Sequence, residues 1–252
     1  MKKIVFTGIV SAFVLAACGG GGGSSSGSST GAVANAPTVP TDAQGIYTGT
    51  DSSGDQITGI ILDSGAYYFV YVNTATNVLG LVQGTATGGS GSFQSANAMN
   101  YVVGRNSVTG ETVNATYTAK SNISGSITPS SGSATTFNGT YSTLNNQSPS
   151  IASIAGTYSG AAGSAKTAEL VTMTLATDGS ISGRGVSGCV FTGSLKPHSN
   201  GNYYDTSITF GAAPCLYAGQ TVTGVVEANN NAIIAAATLP NRSDAFVLAA
   251  TK

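Results

Sequence analysis

Few residues of this chain are of a type that does chemistry, and their spacing limits what they can do. His198 is the sole histidine. It lies in the turn sequence Lys196-Pro197-His198-Ser199-Asn200-Gly201, with Asp205 close behind. A Ser-His-Asp hydrolase needs such a pair plus a strained, exposed nucleophile, and no G-x-S-x-G elbow is there to supply one. The expectation is a solvated turn histidine. Metal hydrolysis needs three converging ligands, which one histidine and scattered acids do not offer. Asp51 and Asp55 bracket Ser52-Ser53-Gly54. That spacing lacks the other oxygens of a calcium loop and reads as a hairpin tip. Glu111, Glu169 and Glu227 have no partner at a telling spacing, and the paired carboxylates of a glycosidase meet only in space. Gly183-Arg184-Gly185-Val186-Ser187-Gly188 fits G-x-G-x-x-G. A dinucleotide site needs a helix N-terminus directly after it, whereas Cys189-Val190-Phe191-Thr192-Gly193 reads as another strand. These residues predict no catalytic centre, no metal and no cofactor.

The start of the chain is more informative. Met1-Lys2-Lys3 is a positive n-region, and Ile4 to Val14 is apolar over about eleven residues, where a bilayer core needs roughly twenty. Leu15, Ala16 and Ala17 are small or slim, and Cys18 follows them. Leu15-Ala16-Ala17-Cys18 resembles the lipobox of bacterial lipoproteins, a resemblance confined to about the first eighteen residues. It implies that residues 1–17 are a signal peptide, cut ahead of Cys18. It implies that the Cys18 thiol carries diacylglycerol, and that the new amine carries a further acyl chain such as palmitate. Two or three chains hold a protein stably on a membrane, where one is marginal. Gly19, in place of Asp, follows the cysteine, which in the enterobacterial members implies sorting to the outer membrane of a Gram-negative envelope.

Residues 18–44 carry a Gly/Ser-rich run that ends near Pro37 and Pro40. Up to about Thr41 the stretch has no charge and no aromatic residue, so it is expected to be a flexible linker. Charged residues make up only 8% of the chain, against a usual value near 25%. Thr, Ser, Asn and Gly replace them, as on the exposed strand faces of exported β-proteins. Without Lys2 and Lys3, seven bases face ten acids, a net charge of about −3. No basic cluster exists, so nucleic acid is excluded as a partner. No second apolar stretch is long enough to span a membrane as a helix. Cys189 and Cys215 form an even pair in a chain expected to be exported, which predicts one disulfide.

Beyond residue 44 alternation with period two dominates, broken by turn residues. The expected fold class is all-β. Two consecutive antiparallel modules of about eight strands each occupy residues 45–146 and 152–252. Asn145 to Ile151 is the boundary. Short sequential strands with tight turns favour an up-and-down barrel in each half, with a β-sandwich as the alternative. Gly45-Ile46-Tyr47-Thr48-Gly49 is echoed by Gly156-Thr157-Tyr158-Ser159-Gly160, at an offset of 111 residues. Ser124 to Pro129 is echoed by Thr192 to Pro197, at an offset of 68. The registers disagree, so an internal duplication is only suggested.

Tyr67, Phe69 and Tyr71 share one face of a strand, and Tyr68, Val70 and Val72 the other. The cluster packs between modules or forms a recognition stripe. A lipobox, a Gly/Ser tether and barrel-like modules opening on Gly-x-Tyr-x-Gly resemble, in architecture, surface lipoproteins of the transferrin-binding-protein-B and factor-H-binding-protein group. That resemblance implies barrel loops presented to a protein partner, and it carries over no functional residue. The expected function is a non-enzymatic, outer-membrane-anchored interaction module. The alternative is a lipocalin- or avidin-like cup for a small ligand in the second module, although the chain has no Trp for a floor. An apolar cavity above roughly 300 Å³, open at one barrel end, would favour the cup.

Overall fold

The computed structural model describes residues 38–229 and 231–252. The expected signal peptide, Cys18 and the linker up to residue 37 lie outside the described residues. The first module comprises β1 (Gly45–Asp51), β2 (Gln56–Ile61), β3 (Ala66–Asn73), β4 (Val78–Thr85), β5 (Thr87–Gly89), β6 (Ser92–Val102), β7 (Ser107–Thr118), β8 (Asn122–Pro129) and β9 (Thr135–Tyr141). The second comprises β10 (Gly156–Ser164), β11 (Ala168–Leu175), β12 (Ser180–Gly185), β13 (Val190–Pro197), β14 (Tyr204–Phe210), β15 (Thr221–Ala228), β16 (Ala232–Thr238) and β17 (Ala245–Thr251).

Both modules are closed, all-antiparallel barrels of eight strands. In the first, β1 pairs with β9, and β4 pairs with β6 over Gly80–Gln83 against Met99–Val102. β5 is a short flap on the other half of β6. It exists because β6 is bulged between Ser95 and Ala98, and a bulge bends its strand and frees the ladder. The second barrel is a simple meander in which β10 pairs with β17. The sequence reading of about eight strands per half therefore holds, with β5 as the unforeseen extra.

Two stretches differ from expectation. Residues 38–44, placed in the flexible linker, are docked on the first barrel. Thr41–Ala43 form one turn of 3₁₀ helix, and Ala43 is fully buried. The Gly88 amide donates to Thr38 O at 2.8 Å. At the module boundary a short helix, α1 (Ile151–Ile154), buries Ile154 in the base of the second barrel.

The first echo is structural. Tyr47 donates its hydroxyl to Ala43 O at 2.9 Å, and Tyr158 donates to Ile154 O at 2.5 Å. In both barrels the opening tyrosine thus fastens the first strand to the helical turn before it. Gly45 and Gly156 have φ of 150° and 148°, a region side chains avoid, which lets each turn run straight into a strand. The second echo sets the seventh strand of one ring, β8, beside the fourth of the other, β13, so it is shared hairpin composition.

The barrel interiors differ. The first is filled by aromatic rings: Tyr67, Phe69, Phe93 and Phe137 contact one another, and Tyr47 packs edge-on to Tyr141. In the second, several inward positions near one end are small, Ala162, Gly185, Ala235 and Ala237, beside Phe210 and Phe246.

Between the barrels lies a third cluster, built from outward-facing residues. Ile46, Ile60, Tyr68, Val70, Leu81 and Tyr101 meet Tyr203, Val225, Ala236, Ala245 and Val247. Arg242, in the β16–β17 loop, donates to Gln83 O at 2.7 Å and Asn97 O at 2.8 Å, and its own carbonyl accepts from Tyr101 Oη at 2.8 Å.

Candidate functional site

The small inward residues of the second barrel leave a cavity of about 300 Å³. Every strand contributes to its wall, mostly through alternate, inward-facing residues. Val171 and Met173 face in from β11, Phe191 and Leu195 from β13, Ile208 and Phe210 from β14, and Val222 and Val226 from β15. The alternation read from the sequence places these residues on the inner face, but a side-chain period cannot say whether that face is filled. The opposite end of the barrel is plugged. Ile154 from α1, Tyr158, Tyr204 and Ala228 form the solid half of the core there.

The cavity reaches the surface among the loops β10–β11, β12–β13 and β14–β15, where Thr167, Ala168, Ser187, Pro214 and Leu216 are exposed. Residues 211–220 cross this mouth as a strap. The Cys189–Cys215 disulfide joins the strap to the β12–β13 hairpin. A second side-chain fastening is Tyr217, whose hydroxyl donates to Asp244 at 2.6 Å. Asp244 is fully buried and also accepts the amides of Ala165 and Ala245, at 2.9 and 2.8 Å. Burial and the neighbouring carboxylate push the Tyr217 hydroxyl pKa up, so it stays a donor. Leu216 stands on the rim, 55% exposed, while Leu170 and Val186, 63% and 76% exposed, do not line the cavity.

Glu169 is the single charged residue lining the cavity. Its carboxylate accepts the Ser187 amide at 2.8 Å. It lies so close over Gly185 that a Cβ there would sit 2.3 Å from both carboxylate oxygens. The second glycine of the G-x-G-x-x-G stretch therefore makes room for an acid. No helix follows the motif; β13 does.

Tyr67 and Phe69 are buried inside the first barrel, 0% and 3% exposed, and Tyr71 lies partly buried beside them. The Tyr71 hydroxyl donates to Asn100 Oδ1 at 2.8 Å. The stripe considered for partner recognition is core, because β3 turns that face inward. The opposite face, through Tyr68 and Val70, packs between the barrels.

His198 is not the solvated turn residue expected. It stacks on Tyr203, with 4.6 Å between ring centroids, and its side chain is 15% exposed. Its Nδ1 lies 3.0 Å from Asp205, and its Nε2 lies 3.6 Å from Asp63 of the first barrel. Nε2 is buried without a hydrogen-bond partner, so no serine hydroxyl is engaged there. The group links the barrels. Asp51 accepts the Ser53 and Asp55 amides and is occupied within its own hairpin tip. Among the described residues no three His, Cys, Asp or Glu side chains converge as a metal site would require.

The chain matches no protein-family profile and no curated protein sequence.

Proposed function

We propose that this chain is an envelope lipoprotein, anchored to the outer membrane through Cys18, whose second barrel binds a small apolar ligand. The observation that carries the binding reading is the cavity. At about 300 Å³ it stands at the lower edge of small-molecule sites, and it is walled by aliphatic and aromatic side chains. Of the two functions anticipated from the sequence, the cup is favoured over the interaction module. The aromatic stripe on which a protein partner would have docked is occupied within the fold. The Cys189–Cys215 bridge supports the anchor reading, because such bonds persist in oxidising compartments outside the cytosol. The reading is non-enzymatic: Asp205 holds His198 Nδ1, and no serine hydroxyl engages its Nε2.

The test is calorimetric titration of the purified protein with 1-decanol. Binding is expected with a negative heat-capacity change, since apolar surface leaves water. Ala235 lines the cavity, and Ala235→Phe fills it. The variant should melt as a folded barrel and bind decanol at least about tenfold more weakly. Equal affinity in the two folded proteins would overturn the reading.

A further inference from the structure

The geometry points to a ligand class for this cavity: an amphiphile with a medium-length apolar body and a hydrogen-bond-donating head, an amine above all, seated on Glu169. The inference rests on the cavity reading above and goes beyond it in assigning the head group.

The body follows from volume and lining. A methylene fills about as much space as one water molecule's ~30 Å³ share of the liquid. A cavity of about 300 Å³ therefore holds a chain of roughly ten carbons. The deep wall offers such a chain nothing polar but Thr206, whose hydroxyl already donates to Ser194 O at 3.2 Å. A polar head carried inward would lose its water without replacement, so it must stay at the mouth.

The head follows from Glu169. This residue occupies an inward position of β11, on the same face as Val171 and Met173, at the end where the cavity opens. Alternation would place an aliphatic residue there. The site is shaped for the acid: Gly185 has no Cβ to displace the carboxylate, and the Ser187 amide fixes one of its oxygens. A carboxylate has about four lone-pair sites, and one amide uses one of them. The remaining acceptor capacity borders the cavity and is complementary to an ammonium, or more weakly to a hydroxyl. A ligand carboxylate would meet a like charge across a partly desolvated mouth. Lys166, in the β10–β11 turn, does not reverse this preference. It does not line the cavity, and its ammonium lies over the Tyr217 ring, 5.5 Å from the centroid. Asp244, behind that ring, already accepts three hydrogen bonds.

The probes are decylamine, 1-decanol and decanoate, each titrated below its micellar concentration at neutral pH. The amine should bind about tenfold or more tighter than decanoate, with the alcohol between, the contrast a charge-assisted hydrogen bond provides. Glu169→Gln keeps an acceptor for the Ser187 amide and removes the charge. In that variant the amine-to-decanoate ratio should fall towards one, and decanol affinity should fall by less than the amine's, since its head makes the weaker bond. Decanol binding with an amine-to-decanoate ratio unchanged by E169Q overturns the head-group assignment and leaves the cavity reading standing. Binding of none of the three overturns the cavity reading, and the assignment with it. If Glu169→Gln does not fold, raising the salt concentration on the native protein should narrow the same ratio, and a ratio insensitive to salt counts against the assignment.

Discussion

Glu111 enters the first barrel from β7, one of the few charged groups that the fold draws into a core. It is 8% exposed, and one of its oxygens, Oε1, accepts from Asn100 Nδ2 at 2.9 Å. The other oxygen is buried with no partner. Burial disfavours the charged form, and the carboxyl pKa is raised above its ordinary 4.5, with the Asn100 bond opposing the shift. The folded state thus holds its proton more tightly than the unfolded chain. The stability linked to this group is fully present below about pH 4.5 and is lost as pH rises through the higher folded value. Glu111→Gln keeps an acceptor for Asn100 and cannot ionise. It should therefore raise the melting temperature at pH 7 by about 2–4 °C, the equivalent of ~1 kcal/mol in a chain of this size. The gain should vanish near pH 4. Melting curves across that range check it, and a pH-independent difference would mean that ionisation is not the cause. Spacing could not reveal this residue. On β7 it holds an inward register position between Thr109 and Val113, and only closure of the barrel turned that position into a dry one.

The strap over the second barrel shows what a disulfide does for an element with little packing of its own. Residues 211–220 form no strand, and most of them are exposed. Cys189 and Cys215 are 26 residues apart, and closing a loop of that length stabilises by about 3–4 kcal/mol in the chain-entropy model. Cys215→Ala should lower the melting temperature by roughly 10 °C. Amide exchange should accelerate in residues 211–220 more than in β14 or β15, since between its ends the strap then keeps only its Tyr217–Asp244 side-chain fastening, with backbone bonds left at Gly211 and Gly219. Uniform acceleration across the barrel would mean that the bridge holds the sheet and not the strap. Strand order was legible here from local signals: the Asp178-Gly179 turn, and alternation through Val171, Met173 and Leu175. The pairing of the cysteines was legible from their number. Their place at a cavity mouth was not, because it depends on barrel closure bringing two distant loops to one end. The cavity itself left a trace in the sequence. Inward positions of this half include Ala162, Gly185, Ala235 and Ala237 beside its phenylalanines, whereas the first half packs Tyr67, Phe69, Phe93 and Phe137 together. Summing side-chain volume by face, in place of reading hydrophobicity alone, would have separated a hollow barrel from a filled one.

At the scale of the whole molecule, the first barrel supports the site of the second. Its β6–β7 hairpin meets the β10–β11 turn, where the Gly104 and Asn106 amides donate to Ser164 O and Ala165 O at 2.9 and 2.7 Å. That turn forms part of the cavity rim and is held from its other side by Asp244. The apolar interface and the Arg242 bonds complete the attachment. The proposed anchor residue, Cys18, lies outside the described residues, so its role is tested apart from these contacts. Cys18→Ser removes the thiol that would carry the acyl group and touches no described contact. Expressed in a Gram-negative host, the variant should lose membrane attachment, either remaining as uncut precursor or appearing soluble. The native protein should start at an acylated Cys18 by mass spectrometry. The soluble variant should keep its melting temperature within about 1 °C, since it alters none of the described contacts. It should bind decanol as the native protein does. Membrane attachment that survives Cys18→Ser would refute the anchor while leaving the cavity reading intact. Loss of decanol binding in the soluble variant would instead place residues before Thr38 in the ligand site.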